Sequence, residues 1–266
     1  GMFGAPSLGI AGAGLATLLS LAVQTTALWV MFSYRPALKT YRKQSFRPEA
    51  GTIRRLSAIS LPIAFQNGLA LFIFLAFDTL VENLGASYLA VTQIIFSFYR
   101  INKTVVGGFA RGAGILAGNA LGAGETEDAR RAVRVQQVLG LFIGLCVMTL
   151  VLAVPESLVR IFTNDMELVN LGARALRFFA GFFLIEISAF SLEIIFQSVG
   201  WSRYVLFSEF SANVVFILGA SLLLVRVFDM GIWGAWIGFG LYQAGHAVIL
   251  ILGWLSGRWI SVRVED

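Results

Sequence analysis

Charge is scarce in this 266-residue chain: Asp, Glu, Lys and Arg together supply 13% of it, about half the share found in soluble domains. With 58% of the residues apolar, an ordinary aqueous fold is excluded, because too few polar side chains remain to cover so much apolar surface. Cysteine and histidine each occur once, as Cys146 and His246. That rules out an intrachain disulfide and argues against a Cys/His metal cluster. The glycine-rich Gly122-Ala-Gly124 lacks a Gly-Lys-Ser/Thr ending and follows an apolar run, so it is no phosphate-cradling loop. The expected protein is neither an enzyme nor a cofactor or metal carrier. What the chain does have is a mean hydropathy of +0.80, with the bilayer as its expected solvent.

Seven apolar runs are each long enough to cross roughly 30 Å of hydrocarbon as a helix. They cover residues 8 to 33, 56 to 81, 86 to 118, 134 to 154, 172 to 196, 204 to 227 and 231 to 255. The first is too long for a cleavable leader and is followed by basic residues rather than a cleavage site. Polar breaks separate the runs: a basic stretch from Tyr34 to Thr52, a Gly-rich charged loop from Leu121 to Arg134, and a link opened by Pro155. The fold class is therefore an all-α polytopic membrane protein with seven transmembrane helices.

The net charge of +5 and the basic balance are explained by where the cations fall. If the runs alternate across the membrane, the segments after the first, third, fifth and seventh hold thirteen of the 20 Lys and Arg residues, and the opposite segments hold Arg160, Arg174, Arg177 and Arg226. The positive-inside rule puts the richer side, and the C-terminus, in the cytoplasm. The setting expected is the bacterial inner (plasma) membrane. No basic face with interleaved aromatics is left to bind nucleic acid.

Gly9-Ile-Ala-Gly-Ala13 in the first run matches Gly231-Ile-Trp-Gly-Ala235 in the seventh, and the ungapped alignment pairs Gln24 with His246. A repeat at this distance makes the two runs equivalent helices of a six-helix unit repeated in parallel. The first copy then lacks all but its last helix. The domains expected are 1–33, the last helix of an otherwise missing N-terminal lobe; 34–55, a basic linker; 56–255, a six-helix C-terminal lobe; and 256–266, a cytoplasmic tail.

Four stretches resemble the multidrug and toxic compound extrusion (MATE) family. They are Leu8-Gly-Ile-Ala-Gly-Ala-Gly-Leu-Ala-Thr17; Leu84-Gly-Ala-Ser-Tyr-Leu-Ala-Val-Thr-Gln-Ile94 with Gly118-Asn-Ala-Leu-Gly-Ala-Gly124 and Ala129-Arg130 after it; Pro155-Glu-Ser-Leu-Val-Arg-Ile-Phe-Thr163 with Asp165; and Gly200-Trp-Ser-Arg203, where the family usually reads Gly-Asp-Thr-Arg. The resemblance implies a twelve-helix exporter of two six-helix lobes around a central cavity, driven by entry of protons or sodium ions. On that map this chain is helix six plus helices seven to twelve. Its partners would be the lipid bilayer, a small-molecule substrate and the N-terminal lobe of the same polypeptide.

Ionisable groups inside a membrane are costly and mark candidate sites. Glu186 and Glu193 in the fifth run are seven apart and share a helical face. By the resemblance, Glu186 falls at or near the acidic position of the tenth helix that is implicated in cation coupling. A low-dielectric cavity favours the neutral form of a carboxyl group, which lets it take a proton on one side and release it on the other; the plainer reading is a static ion pair. In the third run Gln93, Arg100, Lys103 and Arg111 also share a face. Arg100 and Lys103 either neutralise Glu186 and Glu193 two for two, or stand free and favour an anionic head group. The family's acidic residue of the seventh helix would fall near Ala70, and only Gln66 and Asn67 are offered there, which argues against a family-type sodium site.

Tyr99 with Phe96 and Phe98, Gln93, Arg111 and His246 are the candidate substrate contacts, with packing as the alternative for each aromatic and for His246. Pro62 is a candidate kink, Asp78 and Glu82 read as interfacial, and Asn213 and Gln243 either line a cavity or bridge helices. Gly108/Gly112, Gly114/Gly118, Gly140/Gly144 and Gly234/Gly238 have the spacing for close helix approach. The function expected is cation-coupled efflux of organic compounds. The alternatives are export of an anionic lipid-linked substrate and, in a different class, a non-transporting membrane scaffold.

Overall fold

The computed structural model describes residues 9–36, 39 and 49–262. The readings placed on Leu8, on Arg42, Lys43 and Arg47, and on Arg263 lie outside the described residues. Every regular element among the described residues is helical. The chain divides into two compact units, Gly1–Ala50 and Gly51–Asp266.

The first unit contains one long helix, α1 (Gly9–Tyr34). Its 26 residues span about 39 Å, more than the hydrocarbon core requires. It opens on Gly9 at φ 52°, and the last long helix of the chain, also 26 residues, opens on Gly231 at φ 54°. This left-handed geometry favours glycine. The two halves of the Gly-Ile-x-Gly-Ala match therefore have the same local structure as well as the same residues.

The second unit is a helical bundle: α2 (Ala50–Glu82), α3 (Ala86–Gly122), α4 (Thr126–Ala153), the short α5 (Pro155–Arg160), α6 (Met166–Ser198), α7 (Ser202–Arg226) and α8 (Gly231–Ser256), followed by a single 3₁₀ turn, Arg258–Ser261. All six long helices of this unit lie where the hydropathy runs predict them, extended by a few residues at their ends. The largest difference is at 121–134, expected as a charged loop. There α4 begins at Thr126, with Glu127 and Asp128 in its first turn, where carboxylates complement the positive end of the helix dipole. Helix α2 passes through Pro62 without interruption.

By length and composition, six helices among the described residues qualify to cross a membrane: α1, α2, α4, α6, α7 and α8. The expected third span does not qualify. Although α3 is the longest helix at 37 residues, Gln93, Arg100, Asn102, Lys103 and Arg111 make it too polar for a lipid-facing span. Part of its polar face is covered by protein, because α3 packs extensively against α6, which also contacts α4, α5 and α8 and forms the centre of the bundle; Asn102 is buried there, whereas Arg100 and Arg111 are exposed.

Two apolar clusters hold the bundle. One joins Phe77, Phe96, Tyr99, Phe179, Phe183, Trp236 and Phe239 across α2, α3, α6 and α8, with ring centroids 4.4 Å apart for Tyr99 and Phe183 and 5.0 Å apart for Phe96 and Phe239. The other gathers Val133, Leu192, Phe196, Val205, Leu250 and Trp259 at the opposite end. Phe96 and Tyr99 thus take the packing role, while Phe98 is half-buried beside Phe162. Many large apolar side chains stay exposed, among them Phe72, Phe109, Leu116, Val138 and Phe142. Apolar surface on this scale fits a hydrocarbon solvent.

Candidate functional site

The polar faces of α3 and α6 meet at one buried ion pair. Lys103 Nζ lies 3.2 Å from Glu186 Oε1, with Glu186 side-chain exposure of 4% and Lys103 exposure of 38%. The ammonium also sits 5.1 Å from the centroid of the Phe190 ring, one turn further along α6. The second carboxylate oxygen, Glu186 Oε2, is buried and accepts no hydrogen bond among the described residues. Neighbouring Asn102 directs its amide to the Phe183 carbonyl, 3.4 Å away. The oxygen open to a proton is thus Oε2, since Oε1 faces the ammonium.

This pair borders a cavity of about 270 Å³ between α2, α3, α6 and α8, lined by Asp78, Gln93, Tyr99, Arg100, Lys103, Glu186 and Gln243 among apolar neighbours that include Phe74, Phe96 and Phe239. Gln93 Nε2 donates to Asp78 Oδ2 at 3.0 Å, and Arg100 Nη2 donates to Ser97 Oγ at 2.9 Å. Glu186, Arg100 and Lys103, expected as ion-coupling residues, and Gln93 and Tyr99, expected as substrate contacts, line the same cavity. Asp78, read as interfacial, lines the cavity, whereas Glu82 is exposed.

The remaining candidates lie elsewhere. Glu193, two turns along α6 from Glu186, pairs with neither Arg100 nor Lys103: its Oε1 accepts from Gln66 Nε2 at 2.6 Å and from Gln197 Nε2 at 3.4 Å. Two-for-two neutralisation is thus corrected to one ion pair and one amide-held carboxylate. The reason is geometric, since residues seven apart are about 10 Å apart along a helix and meet different neighbours. Gln66 is buried by that contact, but the adjacent Asn67 is exposed, and so is Arg111, outside the cavity lining.

His246 does not line the cavity either. It is buried on α8, with Nε2 3.2 Å from Glu209 Oε2. Glu209 was not singled out from the sequence, although a carboxylate inside the run 204 to 227 is a signal of the same kind as Glu186. Asn213, also away from the cavity, donates from Nδ2 to the Glu209 carbonyl at 2.8 Å. Of the small-residue pairs, Gly114, Gly140, Gly144, Gly234 and Gly238 face close neighbours on another helix, and Gly108 and Gly112 meet nothing within 4 Å.

The MatE family model matches residues 62–222, more than half of the chain. The multidrug resistance protein MdtK of Edwardsiella ictaluri (strain 93-146) is 30% identical over 287 aligned residues, covering 99% of this chain and 60% of that protein. This chain thus spans about 60% of the relative's length. Among solved structures, an outward-facing multidrug resistance MATE family transporter of the MOP superfamily superposes with a TM-score of 0.79 at 22% identity, over 96% of this chain and 57% of the other. A MOP superfamily transporter from Pyrococcus furiosus gives 0.78 at 22% identity, with coverage of 96% and 57%. The long apolar helices and these matches together identify an integral, multi-pass membrane protein that belongs to the MatE family, the multidrug and toxic compound extrusion transporters.

Proposed function

We propose that the chain forms the C-terminal six-helix lobe, with one preceding helix, of a twelve-helix exporter that moves small organic compounds out across the bacterial inner membrane in exchange for a coupling cation. The N-terminal lobe is the partner this reading requires, and the basic segments, with the C-terminus, face the cytoplasm. The observation that carries the reading is the Lys103–Glu186 pair at the cavity wall, with Glu186 Oε2 unsatisfied. The coupling ion is a proton. Gln66 and Asn67 supply no second carboxylate at that level of α2, and Glu193 is occupied by amide donors.

The charge arithmetic gives the exchange its direction. With Glu186 ionised, the pair is neutral and the cavity tolerates a cationic or neutral organic guest. Protonation of Glu186 removes the negative partner nearest the Lys103 ammonium and makes the cavity wall one unit more positive, which disfavours a cationic guest in a low-dielectric setting. In the full-length transporter carrying this chain, Glu186→Gln is expected to abolish proton-linked efflux from membrane vesicles while the protein still reaches the membrane. Efflux at the wild-type level would remove Glu186 from the mechanism.

One observation favours export of an anionic lipid-linked substrate instead. Arg100 lines the cavity and forms no ion pair among the described residues. The Pyrococcus furiosus neighbour is itself described as having a binding pocket of reverse polarity that suggests a different function. Arg111, the third cation of that reading, stands outside the cavity lining. Neutralising Arg100 separates the two: selective loss of anionic-lipid export supports the lipid substrate, and undiminished transport of both classes removes Arg100 from recognition.

A further inference from the structure

A second buried acid–base cluster lies between α7 and α8, behind the cavity wall: Tyr242 lines the cavity, and Glu209 and His246 stand outside its lining. Glu209 is 6% exposed and His246 is 4% exposed. Tyr242 Oη donates to Glu209 Oε1 at 2.9 Å, and Glu209 Oε2 faces His246 Nε2 at 3.2 Å. The Tyr242 and His246 rings are stacked, 8° from parallel with centroids 5.8 Å apart, which fixes the imidazole's orientation. Although close to each other, Glu209 Oε2 and His246 Nε2 form no hydrogen bond among the described residues, and both are sealed from solvent.

The backbone is also unusual here. Immediately after the Glu209 turn, α7 changes to a π-helical segment, Asn213–Ala220. Such wide turns are rare and concentrate at functional sites. Asn213, the first residue of that segment, is fully buried and caps the Glu209 carbonyl through Nδ2, with its Oδ1 unsatisfied.

We propose that Glu209, Tyr242 and His246 form a proton-binding site separate from Glu186, in which one proton taken up from solution converts a carboxylate–imidazole pair into a carboxylate–imidazolium pair. The site requires no other ligand: the proton is held at Nε2 against Oε2, and the Tyr242 hydroxyl donates to the other carboxylate oxygen. The charged and titratable groups in electrostatic reach come from three helices: Lys103 on α3, Glu186 and Glu193 on α6, and Tyr242 with His246 on α8. Glu186, Glu193 and Glu209 confront a single lysine, so a proton on His246 relieves part of the excess negative charge. Uncompensated buried charge is the costliest alternative.

His246 is the only histidine of the sequence, so its signal reports on this site alone. The whole chain, carried on a histidine-free affinity tag and labelled with ¹⁵N-histidine, is placed in lipid nanodiscs and titrated from pH 5 to pH 9 by NMR. The expected result is a reversible change of the ring nitrogens between protonated and neutral forms. In Glu209→Gln the protonated fraction at neutral pH should fall several-fold, and in Tyr242→Phe it should change less. An imidazole that keeps one protonation state across the range, or whose protonated fraction is the same in Glu209→Gln, overturns the proposal. Because the wild-type titration is decisive by itself, a variant that fails to fold does not rescue it. Glu186→Gln distinguishes the two sites, since the His246 proton should persist there even though proton-linked efflux is lost.

Discussion

Gln66 and Glu193, 127 residues apart in sequence, are joined by a 2.6 Å hydrogen bond from the Gln66 amide to the Glu193 carboxylate. The Gln66 carbonyl in turn accepts from Gln197 at 3.0 Å. The amide thus ties α2 to α6 through a charged acceptor, the stronger kind of hydrogen bond.

Gln66→Leu should therefore destabilise the protein by about 1.5–3 kcal/mol, the range for a hydrogen bond to a charged group, because Glu193 loses its shorter donor. Glu193→Gln removes the charge and keeps an amide able to bond Gln66, so its cost should stay under about 1 kcal/mol. Thermal unfolding in one detergent compares the two. Equal midpoints for Gln66→Leu and wild type would show that the bond contributes nothing.

The Lys103–Glu186 pair makes an asymmetric prediction. Removing one member of a fully buried pair costs roughly 3–5 kcal/mol, whereas replacing both by neutral groups is often tolerated. Lys103 is 38% exposed, so water screens part of the charge, and Lys103→Met alone should cost less than that range. Adding Glu186→Gln should recover most of the loss. A double variant less stable than Lys103→Met would show that the pair is not the stabilising relationship of this site.

The long helices were legible because a span that must bury its backbone in hydrocarbon writes its length directly into hydropathy. The composition of the cavity was half legible: a shared helical face grouped Gln93, Arg100 and Lys103, and intramembrane charge marked Glu186. Which partner each would take was not, since Lys103 and Glu186, or Gln66 and Glu193, come together through the packing of separate helices. Glu209 carried the same mark as Glu186 and was overlooked, because a lone carboxylate in the run 204 to 227 has no second acid on its face to draw attention. The π-helical segment had no signal, as Asn213-Val-Val-Phe-Ile-Leu-Gly-Ala220 contains neither proline nor charge.

Packing of α7 on α8 depends on glycine at Gly238, where an added methyl group would lie 2.8 Å from the backbone nitrogen and 2.9 Å from Cα of Ser221. Backbone cannot give way as a side-chain tip can, so Gly238→Ala should cost about 1–3 kcal/mol through overpacking. Gly108, with the same small-residue spacing on α3, meets nothing within 4 Å, and Gly108→Ala should be neutral or stabilising by up to about 1 kcal/mol through helix propensity. Unfolding midpoints of the two variants should move in opposite directions or differ clearly. Similar shifts would mean that spacing alone, without the observed contact, decides the outcome.

Orientation is the last prediction. Cys146 is the sole cysteine, so Cys146→Ser gives a thiol-free background in which single cysteines report which side of the membrane they face. Glu125 lies between α3 and α4, on the segment rich in Arg130, Arg131 and Arg134, and Asp229 lies between α7 and α8 on the cation-poor side. By the positive-inside rule the first segment is expected in the cytoplasm and the second outside. A membrane-impermeant thiol reagent added to intact cells should label Asp229→Cys and spare Glu125→Cys, and both should react once the membrane is opened. The reverse pattern would invert the assigned topology.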